Sequence, residues 1–107
     1  MSAIPTTTVS ELPDDAVLVD VREADEWAAG HAPGAVHIPL GELPSRLGEL
    51  PETDDVVAVV CRSGGRSARA VQWLAHQGYD VVNVEGGMLE WQRAGKRLAA
   101  DGDPNIV

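Results

Sequence analysis

Val56-Val57-Ala58-Val59-Val60, followed at once by Cys61-Arg62-Ser63-Gly64-Gly65-Arg66-Ser67, is the stretch that decides the fold. The first part is an unbroken, β-branched apolar run with no polar face. Such a run suits a strand covered on both sides, as in the middle of a parallel sheet. The second part is polar and glycine-rich, and it opens an amphipathic pattern from Arg66 to Gln77. There Val71, Leu74 and Ala75 fall on one face, Gln72, His76 and Gln77 fall away from it, and Gly78 supplies the C-terminal cap. Strand, tight turn and helix in direct succession are the repeating unit of an α/β domain.

The same pattern extends in both directions. Ala16-Val17-Leu18-Val19 and Val81-Val82-Asn83-Val84 read as further buried strands, with shorter candidates at Thr7 to Val9 and Ala35 to Ile38. Glu23 to Ala29 reads as a helix with acidic residues in its first turn, where they complement the macrodipole. A looser helix is expected from Leu40 to Leu50 and a last one from Met88 to Leu98. Strands alternating with helices predict an open parallel α/β sheet of about five strands, joined by right-handed crossovers, with helices on both faces. Ligands in such sheets bind beyond the carboxyl ends of the strands, which singles out Asp20-Val21-Arg22, Cys61 to Ser67 and Glu85-Gly86-Gly87.

Composition sets the outer limits. With 107 residues, 44% hydrophobic and 23% charged, the chain has room for one core and needs no disulfide or structural metal to fold. Residues 5–98 are expected to form the domain, with 1–4 and 99–107 as flexible tails. No stretch has the length and apolarity of a membrane span, and no repeat is evident. The formal net charge of −9 disfavours nucleic acid and anionic membranes as partners. Against that background, Arg62, Arg66 and Arg69 make a local positive spot suited to a small anion. Cys61 is the single cysteine, so it has no partner for an intramolecular disulfide; no basic-then-apolar leader precedes the domain, and a reducing cytoplasm is expected. Without a coiled coil or a long exposed apolar segment, a monomer is the default.

Cys61 stands where the buried strand meets the helix. Glycine permits backbone angles closed to other residues, so successive N–H groups can converge on one point as an anion-binding nest. The helix N-terminus adds unpaired donors, and Arg62 and Arg66 add full charges. A thiol in that field loses its proton more readily, to a pKa below the ordinary value of about 8.5, and the thiolate is the nucleophile. The spacing of Gly64-Gly65 matches neither a phosphate-binding loop nor a dinucleotide fingerprint, so no cofactor of those kinds is expected. His37 and His76 show no ligand spacing with each other or with Cys61, and no metal is expected.

Three motifs then converge. Cys61-Arg62-Ser63-Gly64-Gly65-Arg66-Ser67 closely resembles the active-site loop of single-domain rhodaneses, a sulfurtransferase family. Asp20-Val21-Arg22-Glu23, with Glu26-Trp27 and Gly30-His31-Ala32-Pro33-Gly34-Ala35, resembles that family's upstream signature, and Glu85-Gly86-Gly87 with Trp91 its downstream one. The resemblance implies a thiosulfate sulfurtransferase with a rhodanese-like fold. Cys61 takes a sulfane sulfur from a donor such as thiosulfate, holds it as a persulfide, and passes it to cyanide or a thiol, a thioredoxin-like protein among the candidates. Arg62 and Arg66 are then an electrostatic clamp, and Ser63, Gly64 and Gly65 shape the cradle. Ser67 has two open roles, capping the helix or donating to the bound anion. Asp20 is read either as the partner of an active-site arginine or as a helix cap, with Arg22 and Glu26 in support. His31 is expected to tie down backbone, and Trp91 to anchor core.

The family also uses this fold as a non-catalytic binding or regulatory module, commonly without the cysteine; the intact Cys61 favours the enzyme. Related phosphatases and arsenate-handling enzymes resemble the same loop but carry one more residue between Cys and Arg. Here Cys61 and Arg66 bracket the shorter loop, which counts against a tetrahedral oxyanion.

Overall fold

The computed structural model describes residues 4–107. Five parallel strands form one sheet: β1 (Thr6–Thr8), β2 (Val17–Asp20), β3 (Val36–His37), β4 (Val57–Val60) and β5 (Val81–Glu85), in the order β1-β5-β4-β2-β3. The run that decides the fold is the central strand, with all four residues of β4 buried between β5 and β2. Its register sets Val60 beside Asp20 and Val59 beside Asn83, so the ends of three strands line up at one edge.

Strand side chains alternate between two cores, as the pleat requires. Val19, Val57 and Val59 pack with Ala70, Val71 and Leu74 of α2 (Gly65–His76) on one face. Leu18, Ala58, Val60 and Val84 pack with Met88 of α3 (Gly87–Arg93) on the other. α1 (Ala24–Ala29) is capped by Glu23, which with Glu26 forms the reciprocal side-chain-to-backbone bonds of a capping box. Among the described residues no helix is long and apolar enough to cross a membrane.

Two expected elements differ from the sequence reading. Leu40 to Leu50 is a pair of 3-10 turns, Leu40–Ser45 and Leu47–Glu49, in place of one helix. Pro44 inside the first turn removes a donor that a longer helix would need. The last helix stops at Arg93 and not Leu98, since Gly95 turns into the left-handed region at φ +74°.

The segment 99–107, expected as a tail, is laid against the domain. Ala99 and His31 exchange both backbone bonds, Asn105 N–H donates to the Ala29 carbonyl at 2.8 Å, and Ile106 is buried in the α3-side core. One apolar side chain and a few main-chain bonds suffice to dock it. Ile4, at the other expected tail, is half-buried against the α2-side core, and residues 1–3 lie outside the described part.

Candidate active site

Cys61 follows β4 directly, and its side chain is 1% exposed, inside the α2-side core. The next residues fold back over the sulfur. Gly64 takes the left-handed conformation at φ +110°, which aims its N–H at Cys61 Sγ over 3.1 Å. α2 starts at Gly65, and in its first turn the Ser67 hydroxyl lies 3.3 Å from Sγ. Burial alone pushes the Cys61 thiol up, but the Ser67 hydroxyl and the backbone N–H groups of Ser67, Gly64 and Ser63 outweigh it and hold the thiol below its ordinary value. Of the two glycines only Gly64 needs its special backbone; a Cβ on Gly65 would meet open space.

The two arginines expected as a clamp are placed differently from each other. Arg66 gives both terminal nitrogens to the Glu26 carboxylate, at 2.7 and 2.8 Å. Its charge still falls within range of Cys61. The Arg66 guanidinium holds the Glu26 carboxyl at about 2, well below its usual range, and raises its own affinity for a proton in return. Arg62 is exposed and its Nε donates to the Val107 carbonyl at 3.0 Å. Ser63 is exposed beside it.

Asp20 does not reach a loop arginine. It is fully buried and accepts from Arg22 Nε and Nη2, and also from the Arg22 backbone N–H. Arg22, equally buried, uses its remaining donors on the Glu26 and Gly30 carbonyls at the end of α1. The pair therefore fixes α1 to the sheet, and α1 carries the Glu26 carboxylate that reaches Arg66. His31 donates from Nδ1 to the Trp27 carbonyl at 2.8 Å and stacks on the Trp27 ring, the backbone-tying place expected of it. Trp91 packs against the α3-side core and its Nε1 donates to the Arg97 carbonyl.

Two features escape the sequence reading. Gly86-Gly87 is more than a turn: α3 docks its first N–H groups, those of Met88 and Leu89, on the Cys61 and Arg62 carbonyls at 2.8 and 3.0 Å. A Cβ on Gly87 would sit 2.4 Å from the Cys61 carbonyl oxygen. Asn83, on β5, is 7% exposed and its Oδ1 accepts from Ser67 Oγ directly behind the sulfur. Its signal in the sequence is the single polar residue within Val81-Val82-Asn83-Val84.

A parallel α/β sheet that presents one cysteine sulfur to a ring of N–H and O–H donors, at the carboxyl end of its central strand, defines a thiolate-based domain. The Rhodanese-like domain family model matches residues 6–94, and the chain belongs to that family. A putative sulfurtransferase of Bacillus subtilis is 43% identical over 82 residues, 77% of this chain and 79% of that one. A sulfurtransferase of Allochromatium vinosum is 42% identical over 88 residues, 81% of each chain. A rhodanese-related protein from Thermoplasma volcanium has the same fold, with a TM-score of 0.82 and 31% identity over 91% of this chain and 99% of that one.

Proposed function

We propose that this domain is a sulfurtransferase in which Cys61 carries the sulfur, with thiosulfate as a competent donor and cyanide or a thiol as acceptor. The observation that supports it above the others is the sulfur's own surroundings: Gly64 N–H and the Ser67 hydroxyl converge on Sγ at 3.1 and 3.3 Å, at the start of a twelve-residue helix. Donors preset around a sulfur favour the thiolate before attack, and the N–H groups of the loop favour the persulfide anion after it.

The Cys61 thiolate attacks the outer sulfur of thiosulfate. An S–S bond forms to Sγ, the S–S bond of thiosulfate breaks, and sulfite leaves with the electron pair. Cyanide then attacks the outer sulfur of the persulfide, a C–S bond forms, and thiocyanate leaves as Sγ regains its electron pair. A thiolate acceptor follows the same path and departs as a persulfide. Exposed Arg62 and Ser63, next to Cys61 in the loop, suit an anionic donor, and a persulfidated or thioredoxin-like protein is the alternative partner at the same loop. A cytoplasmic setting fits a carrier that works through a reduced thiol.

The test is intact mass before and after incubation with thiosulfate. A gain of one sulfur atom, reversed by cyanide and absent from Cys61→Ser, supports the carrier. No adduct from thiosulfate or from a persulfide donor would return the domain to a binding role.

A further inference from the structure

We propose that Asn83 is a positioning residue for the Cys61 sulfur and acts through Ser67, by competing with Sγ for the one hydrogen of the Ser67 hydroxyl. The proposal rests on Cys61 being the reacting sulfur.

Ser67 Oγ has three acceptors within reach: Cys61 Sγ at 3.3 Å, the Gly64 carbonyl at 3.2 Å and Asn83 Oδ1. A hydroxyl has one hydrogen to give. Ser67 is fully buried and Asn83 nearly so, leaving little room for water to supply another donor. The amide orientation is fixed by chemistry, because Asn83 Nδ2 lies 3.4 Å from the Gly64 carbonyl and the reversed amide would set two acceptors face to face.

Two arrangements of the same hydroxyl follow. With the thiol protonated, S–H donates to Ser67 Oγ and Ser67 O–H donates to Asn83 Oδ1, so every group is satisfied. When the proton leaves to solvent, the hydroxyl turns to the charged sulfur and Asn83 Oδ1 loses its donor. In the persulfide the charge moves to the outer sulfur, Sγ becomes a neutral bridging atom, and the hydroxyl returns to Asn83. Asn83 thus keeps the thiol less acidic than the cradle alone would make it. Because a thiolate's intrinsic nucleophilicity falls with its pKa, that restraint favours attack on the donor, while it makes Sγ a slower leaving group when the sulfur is passed on.

The charged groups around Cys61 are Arg66 with Glu26 from α1, Arg62 on the loop, the Asp20–Arg22 pair at the end of β2 and Glu85 at the end of β5. None is altered in the variants below.

The experiment is ultraviolet titration of the thiolate, which is clean because the chain has one cysteine and Cys61→Ser gives the tyrosine blank. Asn83→Val removes the acceptor at a position flanked by Val82 and Val84 and paired with Val59, and Asn83→Ala does so without a branch. Either should lower the Cys61 pKa by about half a unit to one unit, the size of one redistributed hydrogen bond. Ser67→Ala should raise it. Ser67→Ala with Asn83→Ala should match Ser67→Ala alone, since the other contact of Asn83, Nδ2 to the Gly64 carbonyl at 3.4 Å, is long and does not touch the sulfur. An unchanged or raised pKa in folded Asn83→Ala overturns the proposal, as does a fall that survives in the Ser67→Ala background. The titration uses no sulfur donor, so failure of the wild type to take up sulfur would overturn the transfer reading and not this one.

Discussion

Arg66 and Glu26 are forty residues apart in sequence and bound by two parallel N–H···O bonds of 2.7 and 2.8 Å. The fork joins the first turn of α2, which frames the sulfur, to α1, which the buried Asp20–Arg22 pair holds against the sheet. The arginine closing the loop is thereby an architectural member of it, and its charge reaches the sulfur from a fixed distance.

Arg66→Lys keeps the charge and loses the fork. It should lower thermal stability and sulfur transfer together, with a stability loss of about 1–2 kcal/mol for a partly screened bidentate pair. Thermal melting beside a thiosulfate assay checks it. Full stability with full activity would mean the loop is held by its backbone contacts alone.

The same pair makes a pH prediction. The folded carboxyl of Glu26 titrates at about 2 against an ordinary 4.5. A depressed carboxylate contributes stability that is complete above the higher value and disappears as pH falls through the lower one. Glu26→Gln should therefore be less stable than wild type at neutral pH, and the gap should close between about pH 4.5 and 2. Urea midpoints measured across that range read the difference, and a constant gap would place the loss elsewhere.

How much of this was legible in the sequence depends on range. The central strand, the loop and α2 were readable because an apolar run, a glycine turn and a helical period are local signals. For Arg66 the sequence offers Asp20 or Glu26 as a bidentate partner without choosing between them, because any of several carboxylates could meet any of several arginines until the crossover of α1 fixes the geometry. Asn83 does not stand out, because one polar residue in a valine run carries no periodicity of its own. Ile106 is silent for the converse reason: a lone apolar residue in a polar segment has no pattern, yet it is only 7% exposed in the α3-side core.

Arg62 is an exposed charge beside Cys61, and its Nε donates to the Val107 carbonyl. Arg62→Ala should raise the KM for thiosulfate several-fold and lower kcat less, since a charge at the entrance acts on binding. Screening has a range of about 10 Å at 0.1 M salt, so the difference from wild type should shrink as salt rises. Steady-state kinetics at two ionic strengths decide it, and a pure kcat effect that ignores salt would assign Arg62 to the chemical step.

The two glycines of the loop should behave oppositely. At Gly64 the backbone sits at φ +110°, where an L side chain is strained, and its N–H is one of the donors on Sγ. Gly64→Ala should cost roughly 1–2 kcal/mol, raise the Cys61 pKa by turning that donor away, and depress sulfur transfer. Gly65 opens α2 with an ordinary helical backbone and clear space where a Cβ would stand. Gly65→Ala should leave the thiolate titration unchanged and stabilise the fold by up to about 1 kcal/mol, because alanine loses less conformational freedom on entering a helix. Paired melting curves and thiolate titrations of the two variants separate a cradle built on one left-handed residue from one that needs both glycines: equal damage from both substitutions would refute the single-residue account, and damage confined to Gly64 locates the geometry of the sulfur site in one peptide unit.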